Sequence, residues 1–448
     1  MTAPTEALPS SWHNWSGRLT AQPSRVIEPR DSAAVAAAVK DAARAGLRVK
    51  AAGSGHSFSE IAVPDDVSLR LTHLDGIIDC DESTGLVTVA AGTPLYRLNQ
   101  ALAERGLALE NMGDIDRQTI SGATATSTHG TGAKFGSIST QIRRLEIVLA
   151  DGSIVTCSPT ERPELFSAAR VGLGALGIVI AVTLQCVPAF ALHVVEETMS
   201  LDRAVEELDS FVDDNDHFEF FWFPHSRLAS TRRTTRLPGN APLQPISQRR
   251  SKFDDDFLAD VVFERLLRFG SRYQRTIPAI TRAGARALGG RDFTDMSHNA
   301  FASKRDIRFN EGEYAIARED AVDVLREIRR WTESHDEKIS FPLEVRFVAA
   351  DDIPLAPTYQ RDTCYIAFHQ YHRMQYATYF AALEGIFGAV GGRPHWGKMH
   401  SLSADELRSL YPQFDTFVAM RDKVDPTGVF TNSYLNRTLG APSNGSQR

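Results

Sequence analysis

The sequence predicts an α+β fold divided into at least two domains. The chain has 448 residues, of which 42% are hydrophobic and 23% charged, and these proportions exclude disorder over most of its length. One hydrophobic core usually serves no more than roughly 250–300 residues, so a chain of this length needs a second core. Within the first 190 residues, short strand-like runs alternate with helix-like runs. These observations predict short strands and helices in mixed order.

The elements of the first half follow from hydrophobic periodicity and turn residues. Strand-like runs occupy residues 25–29, 48–52, 67–71, 85–90, 145–150, 153–157 and 178–187. One helix is predicted to begin at Asp31 or Ser32, as its N-cap, and to end at Gly46. A second helix is predicted over residues 94–105. The dipeptide Asp151–Gly152 stands between two strand-like runs and predicts a hairpin.

Beyond residue 190 the predicted elements lie further apart. Helices are predicted over residues 201–212, 319–333 and 376–387, and strands over 217–224, 343–352 and 365–371. Residues 227–256 contain prolines and are basic first and acidic later. We interpret them as a solvated, mobile loop rather than a docking surface.

Charge, cysteine content and hydropathy exclude several classes of protein. Lys plus Arg number 49 and Asp plus Glu 56, and the resulting net charge of −7 argues against a nucleic-acid partner. Four widely spaced cysteines without a CxxC predict buried reduced thiols and a cytoplasmic location. No signal peptide is visible, and the most apolar stretch, residues 171–184, is shorter than the roughly 18 residues of a spanning helix. We therefore expect a small-molecule enzyme without a transmembrane segment, and peripheral membrane association stays open.

Residues 172–177, GLGALG, match the G-x-G-x-x-G pattern of dinucleotide-binding proteins. That motif needs a strand before it and a helix after it, so that the helix N-terminus meets the pyrophosphate. Here a helix-like run precedes the glycines and a strand-like run follows them. The order argues against a Rossmann site, although glycines also let a backbone approach another ligand closely.

Two clusters of small residues are candidates for binding a phosphate or a flat ring. In AAGSGHSFS, residues 51–59, the N–H groups freed by Gly53 and Gly55 can form a concave nest for a pyrophosphate, and the alternative is a turn capped by an exposed histidine. QTISGATATSTHGTG, residues 118–132, has almost no bulky side chains, so its backbone can lie flat against a planar ligand. The alternative there is a flexible loop, and we favour the binding site.

Two further clusters carry charge. Glu344 and Arg346 alternate along the predicted strand FPLEVRF and therefore share one face. They form either a solvent-facing ion pair of little energy or a partly buried pair, which we favour because of the apolar neighbours. Residues 367–372 and 393–400 add histidines, aromatic rings and a lysine, which suit a small polar substrate. Their histidine spacing matches no zinc motif, so no metal is expected.

Taken in order, these clusters resemble the aldonolactone oxidoreductases of the vanillyl-alcohol oxidase flavoprotein superfamily, which include gulonolactone, arabinonolactone and alditol oxidases. GSGHS, ATSTHGTG, FNEGEYAI, EVRFVAADD and PHWGK carry the resemblance, which covers nearly the whole chain. It implies an FAD-binding domain of the PCMH type over residues 15–188 and a cap domain built on an antiparallel sheet over residues 189–390. A C-terminal segment, residues 391–440, would return to the flavin site.

The resemblance implies FAD as the cofactor, covalently bound through His56, whose imidazole is a neutral nucleophile at pH 7. The residues implied to contact FAD are Gly53, Ser54, Gly55, His56, Ser57, Gly113, Ser121, Gly122, Ser127, Thr128, His129, Gly130, Gly177 and Val179.

The implied catalytic residues are Glu344, Arg346, His369 and Lys398, and the implied substrate contacts are Tyr371 and His395. Hydride removal from a CH–OH carbon requires loss of the hydroxyl proton, and either Glu344 or His369 can take it if Arg346 tunes the pKa of that base. Lys398 would stabilise negative charge on the reduced flavin.

The reaction implied is oxidation of L-gulono-1,4-lactone or D-arabinono-1,4-lactone to an ascorbate-type product, with hydride transfer to flavin N5, as in ascorbate biosynthesis. The nearest alternative is an alditol oxidase that acts on open-chain polyols such as xylitol. Electrons would pass to O2 or to a cytochrome or quinone-like acceptor. Two hypotheses from other classes are a metal-dependent lactonase and a non-catalytic sugar-binding protein.

Overall fold

The computed structural model describes residues 11–247, 262–303 and 307–443. Strands before residue 190 form several small sheets, and strands between residues 190 and 394 form one eight-stranded sheet, which we call the large sheet. The helices pack between and against these sheets, so the α+β class predicted from the sequence is confirmed.

The helices are α1 (Ser32–Arg44), α2 (Leu95–Ala103), α3 (Ile120–Ala125), α4 (Pro163–Ala169), α5 (Leu201–Glu206), α6 (Leu208–Asp214), α7 (Glu264–Arg272), α8 (Ile277–Ala287), α9 (Ser297–Phe301), α10 (Ala321–Ser334), α11 (Ala377–Gly388), α12 (Ala404–Leu410), α13 (Phe414–Val424) and α14 (Ser433–Leu439). The strands are β1 (Trp12–His13), β2 (Thr20–Ala21), β3 (Arg25–Ile27), β4 (Val49–Ala51), β5 (Val67–Leu69), β6 (Ile77–Asp81), β7 (Leu86–Ala90), β8 (Leu107–Ala108), β9 (Ile142–Val148), β10 (Ile154–Cys157), β11 (Ile178–Gln185), β12 (Val187–Pro188), β13 (Phe190–Ser200), β14 (His217–Trp222), β15 (Leu228–Pro238), β16 (Arg291–Met296), β17 (Phe309–Ala317), β18 (Leu343–Val348), β19 (Thr363–Tyr371) and β20 (Arg393–Pro394).

The first part of the chain follows its local signals closely. The carboxylate of Asp31 accepts a hydrogen bond from the backbone N–H of Ala34 at 2.8 Å, which caps α1 as predicted. The two larger sheets here are a parallel one in the order β3-β5-β4 and an antiparallel one in the order β10-β9-β11-β7-β6, and the strand pairs β1-β2 and β12-β8 form two small ones. The predicted hairpin joins β9 to β10, with Gly152 at φ +80°. The GLGALG run lies between α4 and β11, so the predicted order of helix, glycines and strand is confirmed.

The large sheet has the strand order β16-β13-β15-β14-β18-β19-β17-β20 and its pairs are antiparallel. Alternate residues of each strand point to opposite faces. One face is apolar, and Phe218, Val345, Phe347, Ile366 and Phe368 on it form one buried cluster with α5, α6, α10 and α11. This burial holds the sheet flat against its helices and leaves the opposite face for other groups.

The opposite face of the large sheet is charged. The antiparallel register places Glu219 across from Arg346 and Glu311 across from His369. Side chains directly across such a pair lie about 4.5–5.5 Å apart at Cβ, close enough for ion pairing. The strand register therefore assembles a charged group from residues far apart in sequence.

Two predictions about the second half are wrong. Residues 228–238 do not form a loop but the long strand β15, because its arginines pair with acids on β13: Arg233 lies 3.0 Å from Glu197 and Arg232 lies 3.7 Å from Glu196. The acidic end of the predicted loop, residues 248–256, lies outside the described residues. The single helix predicted over 201–212 is two, α5 and α6, separated at Glu207.

The four cysteines carry free thiols, and three of them are buried while Cys80 is half-buried. In the ranges that the structure describes, none of the helices combines the length and the apolar character that crossing a membrane requires.

Candidate active site

Two cavities adjoin each other where the small-residue loops meet the large sheet. The first has a volume of about 440 Å³ and is lined by loops of the first part of the chain. The second is smaller, about 60 Å³, and lies against the charged face of the large sheet. His56, Ser57, Gln118 and Thr126 line both. A ligand that fills the first cavity therefore reaches the wall of the second.

Three chain segments form most of the first cavity: the loop after β4, the start of α3 with the turn that follows it, and the glycine-rich run before β11. The predicted cofactor residues that line it are Gly53, Ser54, Gly55, His56, Ser57, Ser121, Gly122, Gly177 and Val179. The GLGALG glycines thus lie at a ligand site although the Rossmann order is absent.

Glycine is required at two of these positions by the packing around them. A Cβ on Gly53 would lie 2.6 Å from the hydroxyl oxygen of Thr119. A Cβ on Gly177, which has φ +149°, would lie 2.4 Å from Cγ2 of Ile147. The absence of these side chains lets the loops approach one another and leaves the cavity open along their backbone.

Lys50 is a buried lysine in the wall of the first cavity that the sequence did not single out. Its ammonium donates to the carbonyl oxygens of Phe430 at 2.9 Å and Gly174 at 3.2 Å, so it joins the C-terminal segment to the glycine-rich run. Burial lowers the pKa of Lys50 to about 7, although Asp425 acts in the opposite direction.

Five predicted cofactor residues lie elsewhere. Gly113, Thr128 and His129 line the second cavity, whereas Ser127 and Gly130 line neither. Ser127 adopts φ +61°, and its buried hydroxyl has no hydrogen-bond partner within the described part of the chain. Such a strained residue with an unpaired polar group is typical of a ligand site.

The second cavity contains all four predicted catalytic residues. Arg346 pairs with its strand neighbour Glu344, with Glu219 across the sheet at 3.0 Å, and with Asp114 at 3.4 Å. Burial alone would lower the pKa of Arg346, but these carboxylates outweigh it and raise that pKa well above its usual value. Arg346 is therefore a permanent positive charge that holds the Glu344 carboxylate against the cavity.

Glu311 and Glu313 were missed by sequence reasoning and occupy the centre of this charged group. The carboxylate of Glu311 lies 2.6 Å from the ammonium of Lys398 and 3.2 Å from Nε2 of His369. Burial alone would raise the pKa of Glu311, but Lys398 and His369 outweigh burial and lower it. Burial likewise would lower the pKa of Lys398, and Glu311 with Glu313 raises it instead.

A usable signal for these two acids was present in the sequence. In FNEGEYAI they alternate at i and i+2, as Glu344 and Arg346 do in LEVRF, and so share one face of a strand. The run was not predicted as a strand because glycine and two acids interrupt its hydrophobic pattern.

The histidines of the second cavity have fixed orientations. Nδ1 of His369 lies 2.9 Å from the carbonyl oxygen of Pro342, and Nδ1 of His129 lies 2.8 Å from that of Gly130. Each ring therefore donates through Nδ1 and turns Nε2 toward an acid of β17, at 3.2 Å for His369 and 3.4 Å for His129. His395 differs, because its Nδ1 accepts from the N–H of Gly397, and burial lowers its pKa to about 3.

Tyr371 does not reach the second cavity, contrary to the sequence expectation. It shares a sheet face with His369 but stands at the end of β19. There it is fully buried among Leu267, Ile277 and Met374, beneath α7 and α8. The tyrosine ring therefore packs against the helices at the end of the sheet and does not line the cavity.

Polar atoms of His129, Glu313 and His395 all lie within 4.8 Å of one another, a spacing that a metal ion can use. His129 and Glu313 already pair with each other, and Nδ1 of His395 is occupied by a backbone N–H. That the site holds no metal stays a prediction.

Comparison with known proteins identifies relatives along the whole chain. The D-arabinono-1,4-lactone oxidase family matches residues 182–438, and an FAD-binding domain family matches residues 23–158. L-gulono-1,4-lactone dehydrogenase of Mycobacterium tuberculosis is 43% identical over 431 residues, 96% of this chain and 99% of that protein. L-gulonolactone oxidase of Mus musculus is 33% identical and covers 96% of this chain and 98% of its own length.

The fold is also found among solved structures. Cholesterol oxidase from B. sterolicum superimposes with a TM-score of 0.83, covering 98% of this chain and 100% of that one at 18% sequence identity. At this identity the similarity concerns the fold alone.

Proposed function

Because the chain belongs to the D-arabinono-1,4-lactone oxidase family, the aldonolactone group that its sequence resembles, we propose that it oxidises a CH–OH group of an aldono-1,4-lactone with FAD as cofactor. L-gulono-1,4-lactone and D-arabinono-1,4-lactone are the proposed substrates, and an ascorbate-type compound is the proposed product. The observation that carries the proposal is the buried group of acids and bases that adjoins the first cavity at His56.

The residues of the first cavity fit FAD. Its wall combines small residues and hydroxyl groups, which suit a flat ring, with the backbone N–H groups freed by Gly53 and Gly55, which suit a pyrophosphate. We propose that residues 53–57, 121–130 and 172–179 hold the cofactor. When bound, FAD supplies the two-electron acceptor for a hydride.

Glu344 is the proposed base that takes the hydroxyl proton of the substrate. Its carboxylate is buried in the second cavity, and Arg346 keeps it in place. His369 is less suited to that step because its Nε2 already faces the Glu311 carboxylate. We assign His369 and His395 to binding the polar edge of the lactone.

Lys398 contributes positive charge to the second cavity. It lines that cavity, and Glu311 and Glu313 raise its pKa, so it is charged at neutral pH. A fixed cation in a buried site stabilises negative charge that develops during the reaction without a cost of reorganisation.

We further propose that His56 carries the flavin covalently. The ring stands at the junction of the two cavities, and burial, assisted by Lys398 and Arg117, lowers its pKa to about 4. The imidazole is therefore neutral at pH 7 and can act as a nucleophile. The Trp15 ring lies beside it, with ring centroids 6.1 Å apart and an angle of 25° between the planes.

The remaining assignments follow the same premise. We propose the FAD-binding domain at residues 15–188, the cap at 189–390 and the returning segment at 391–440, because the large sheet begins at Phe190 and Lys398 comes from the last segment.

Four free cysteines support a cytoplasmic location. The relatives divide between oxidase and dehydrogenase, so the proposed acceptors are O2 and a cytochrome or quinone-like molecule.

The test is anaerobic mixing of the purified yellow protein with L-gulono-1,4-lactone, D-arabinono-1,4-lactone or xylitol. The expected result is loss of the visible flavin absorbance with a lactone and not with xylitol at the same concentration. Re-oxidation by air or by cytochrome c then identifies the acceptor. Acid precipitation tests the covalent bond. A pellet that is yellow for the wild type and colourless for His56→Ala supports attachment of the flavin to His56.

Other outcomes would contradict the proposal. Bleaching by xylitol alone would make the protein an alditol oxidase. A colourless protein that hydrolyses lactones and loses this activity with a chelator would make it a metal-dependent lactonase. Lactone binding without turnover, unchanged by Glu344→Gln, would make it a sugar-binding protein.

A further inference from the structure

Among the described residues, four carboxylates line the second cavity, and they differ in how far water reaches them. The side chains of Glu311, Glu313 and Glu344 are 6%, 5% and 7% exposed. The side chain of Asp114, in the loop between β8 and α3, is 21% exposed. The proposed oxidation uses Glu344 as a base and gives Asp114 no task.

Asp114 and Glu344 are held side by side by one arginine. Nη2 of Arg346 lies 3.4 Å from Oδ1 of Asp114 and also pairs with Oε1 of Glu344. Because both carboxylates contact one nitrogen atom, they are neighbours, although one belongs to a loop of the first part of the chain and the other to β18. The hydroxyl of Ser303 donates to Oδ2 of Asp114 at 3.2 Å, and the N–H of Ser303 donates to its backbone carbonyl at 2.8 Å. These contacts hold the Asp114 side chain in place.

The product proposed above requires a proton transfer after the oxidation. Oxidation of one carbon of a vicinal diol gives an α-hydroxy ketone, and an ascorbate-type compound is the enediol tautomer of such a ketone. To form the enediol, the neighbouring carbon must lose its proton and the ketone oxygen must gain one. A base and an acid that stand side by side catalyse such a transfer together.

We propose that the second cavity also catalyses this tautomerisation, with Asp114 as the base that removes the carbon-bound proton. Glu344 holds the proton that it took from the substrate hydroxyl, and it returns that proton to the ketone oxygen. The electron pair of the broken C–H bond becomes the C=C bond, and the π pair of the C=O bond forms the new O–H bond. No oxidant or reductant is consumed, and one proton remains on Asp114. The inference rests on the proposed function.

The surroundings of the four carboxylates suit this division of tasks. Arg346 stays paired with Asp114 when Glu344 is protonated, so Asp114 remains an ionised base. Asp114 then passes its proton to water, since it is the most exposed of the four. Glu311 and Glu313 are less suited, because each already faces a histidine Nε2 within 3.4 Å and is buried.

The test is anaerobic stopped-flow mixing of the holoenzyme with L-gulono-1,4-lactone. Loss of visible flavin absorbance reports the oxidation, and the rise in ultraviolet absorbance of the enediol reports the tautomerisation. In the wild type the two changes are expected to coincide and to be independent of buffer concentration. In Asp114→Asn, bleaching is expected to slow by less than about tenfold. The enediol is expected to lag about 100-fold behind bleaching, or to form at the buffer-dependent rate of the free ketone.

Two further variants keep the test informative. Asp116→Asn removes an acid of the same loop that is 23% exposed and lines neither cavity, so both rates are expected to equal those of the wild type. Ser303→Ala keeps the Asp114 carboxylate and removes one of its donors, so a shorter lag is expected. It supplies a second reading of the role of Asp114 if Asp114→Asn does not fold.

Enediol that appears together with bleaching in Asp114→Asn would overturn the inference. A buffer-dependent lag in the wild type would also overturn it, because the tautomerisation would then take place in solution. Loss of bleaching in Asp114→Asn would assign Asp114 to the oxidation instead. No bleaching of the wild type by either lactone would contradict the proposed function itself, which separates that failure from a failure of the role of Asp114.

Discussion

The first cavity is lined mainly by glycine, alanine, serine and threonine, most of them from loops, whereas the second is walled by paired charged side chains from strands of the large sheet. In the first, Gly53 and Gly177 are required because a Cβ would collide with neighbouring atoms. In the second, Glu311 and Arg346 are buried and Lys398 is half-buried, and each charge has an opposite charge within reach.

The difference separates two tasks. A cavity built from backbone and small side chains selects its ligand by shape and tolerates a change of charge better than a change of volume. A cavity built from buried ion pairs depends on each partner, because removal of one leaves an uncompensated charge. We therefore expect the first cavity to hold the cofactor by shape and the second to perform the proposed chemistry by charge.

The largest effect on activity is expected from Glu344→Gln. Removing a general base lowers turnover by about 10²–10⁴-fold, and the flavin content should stay that of the wild type because the first cavity is untouched. Steady-state kinetics together with the visible spectrum check both parts. Glu327→Gln, at an exposed helix position, serves as the control. If flavin is lost along with turnover, the two cavities do not act separately.

Gly177→Ala should show the reverse pattern. A Cβ there meets Ile147 and the carbonyl oxygen of Val148, so we expect a loss of about 1–3 kcal/mol in the free energy of unfolding and a lower flavin content. Thermal unfolding and the ratio of visible to ultraviolet absorbance measure these effects. Gly284→Ala is the control, since a Cβ on that helical glycine contacts nothing within 4 Å and should stabilise the protein. Full flavin content in Gly177→Ala would contradict selection by shape.

Glu311→Gln is expected to lower kcat by about tenfold, which corresponds to about 1.4 kcal/mol. Burial lowers the pKa of Lys398 and Glu311 raises it, so removing the carboxylate lowers the pKa of Lys398. If turnover requires the positive charge of Lys398, that charge is then lost at lower pH. The alkaline limb of the kcat profile should therefore move toward neutral pH. Glu311→Asp, which keeps the charge, should restore the profile. An unshifted limb would show that Lys398 charge does not limit turnover.

The smallest effect is expected from Tyr371→Phe. The side chain packs among Leu267, Ile277 and Met374 and does not line the second cavity, so KM for the lactone should equal that of the wild type. Comparison of KM with that of His395→Asn, whose ring lines the cavity, checks this placement. A rise in KM for Tyr371→Phe would instead show that the tyrosine contacts the substrate.

Local patterns predicted much of the first part of the chain, and long-range pairing explains where they failed. The cap of α1 and the hairpin at Asp151–Gly152 depend on neighbouring residues, so the sequence reveals them. The strand β15 was predicted as a loop because its basic residues appear solvated until acids of β13 are placed beside them. Tertiary context of this kind is not visible in a sequence window.

The sequence alone determined the family, the two small-residue segments of the first cavity and the shared face of Glu344 and Arg346. The family rests on the resemblance that the motifs carry in their order, the small-residue segments follow from local composition, and the shared face follows from the two-residue period of a strand. Only the tertiary structure decided that Glu219 faces Arg346, that Glu311 joins His369 to Lys398, and that Tyr371 is covered. The physical reason is that strand register and helix packing bring together residues whose separation in sequence carries no information about their distance in space.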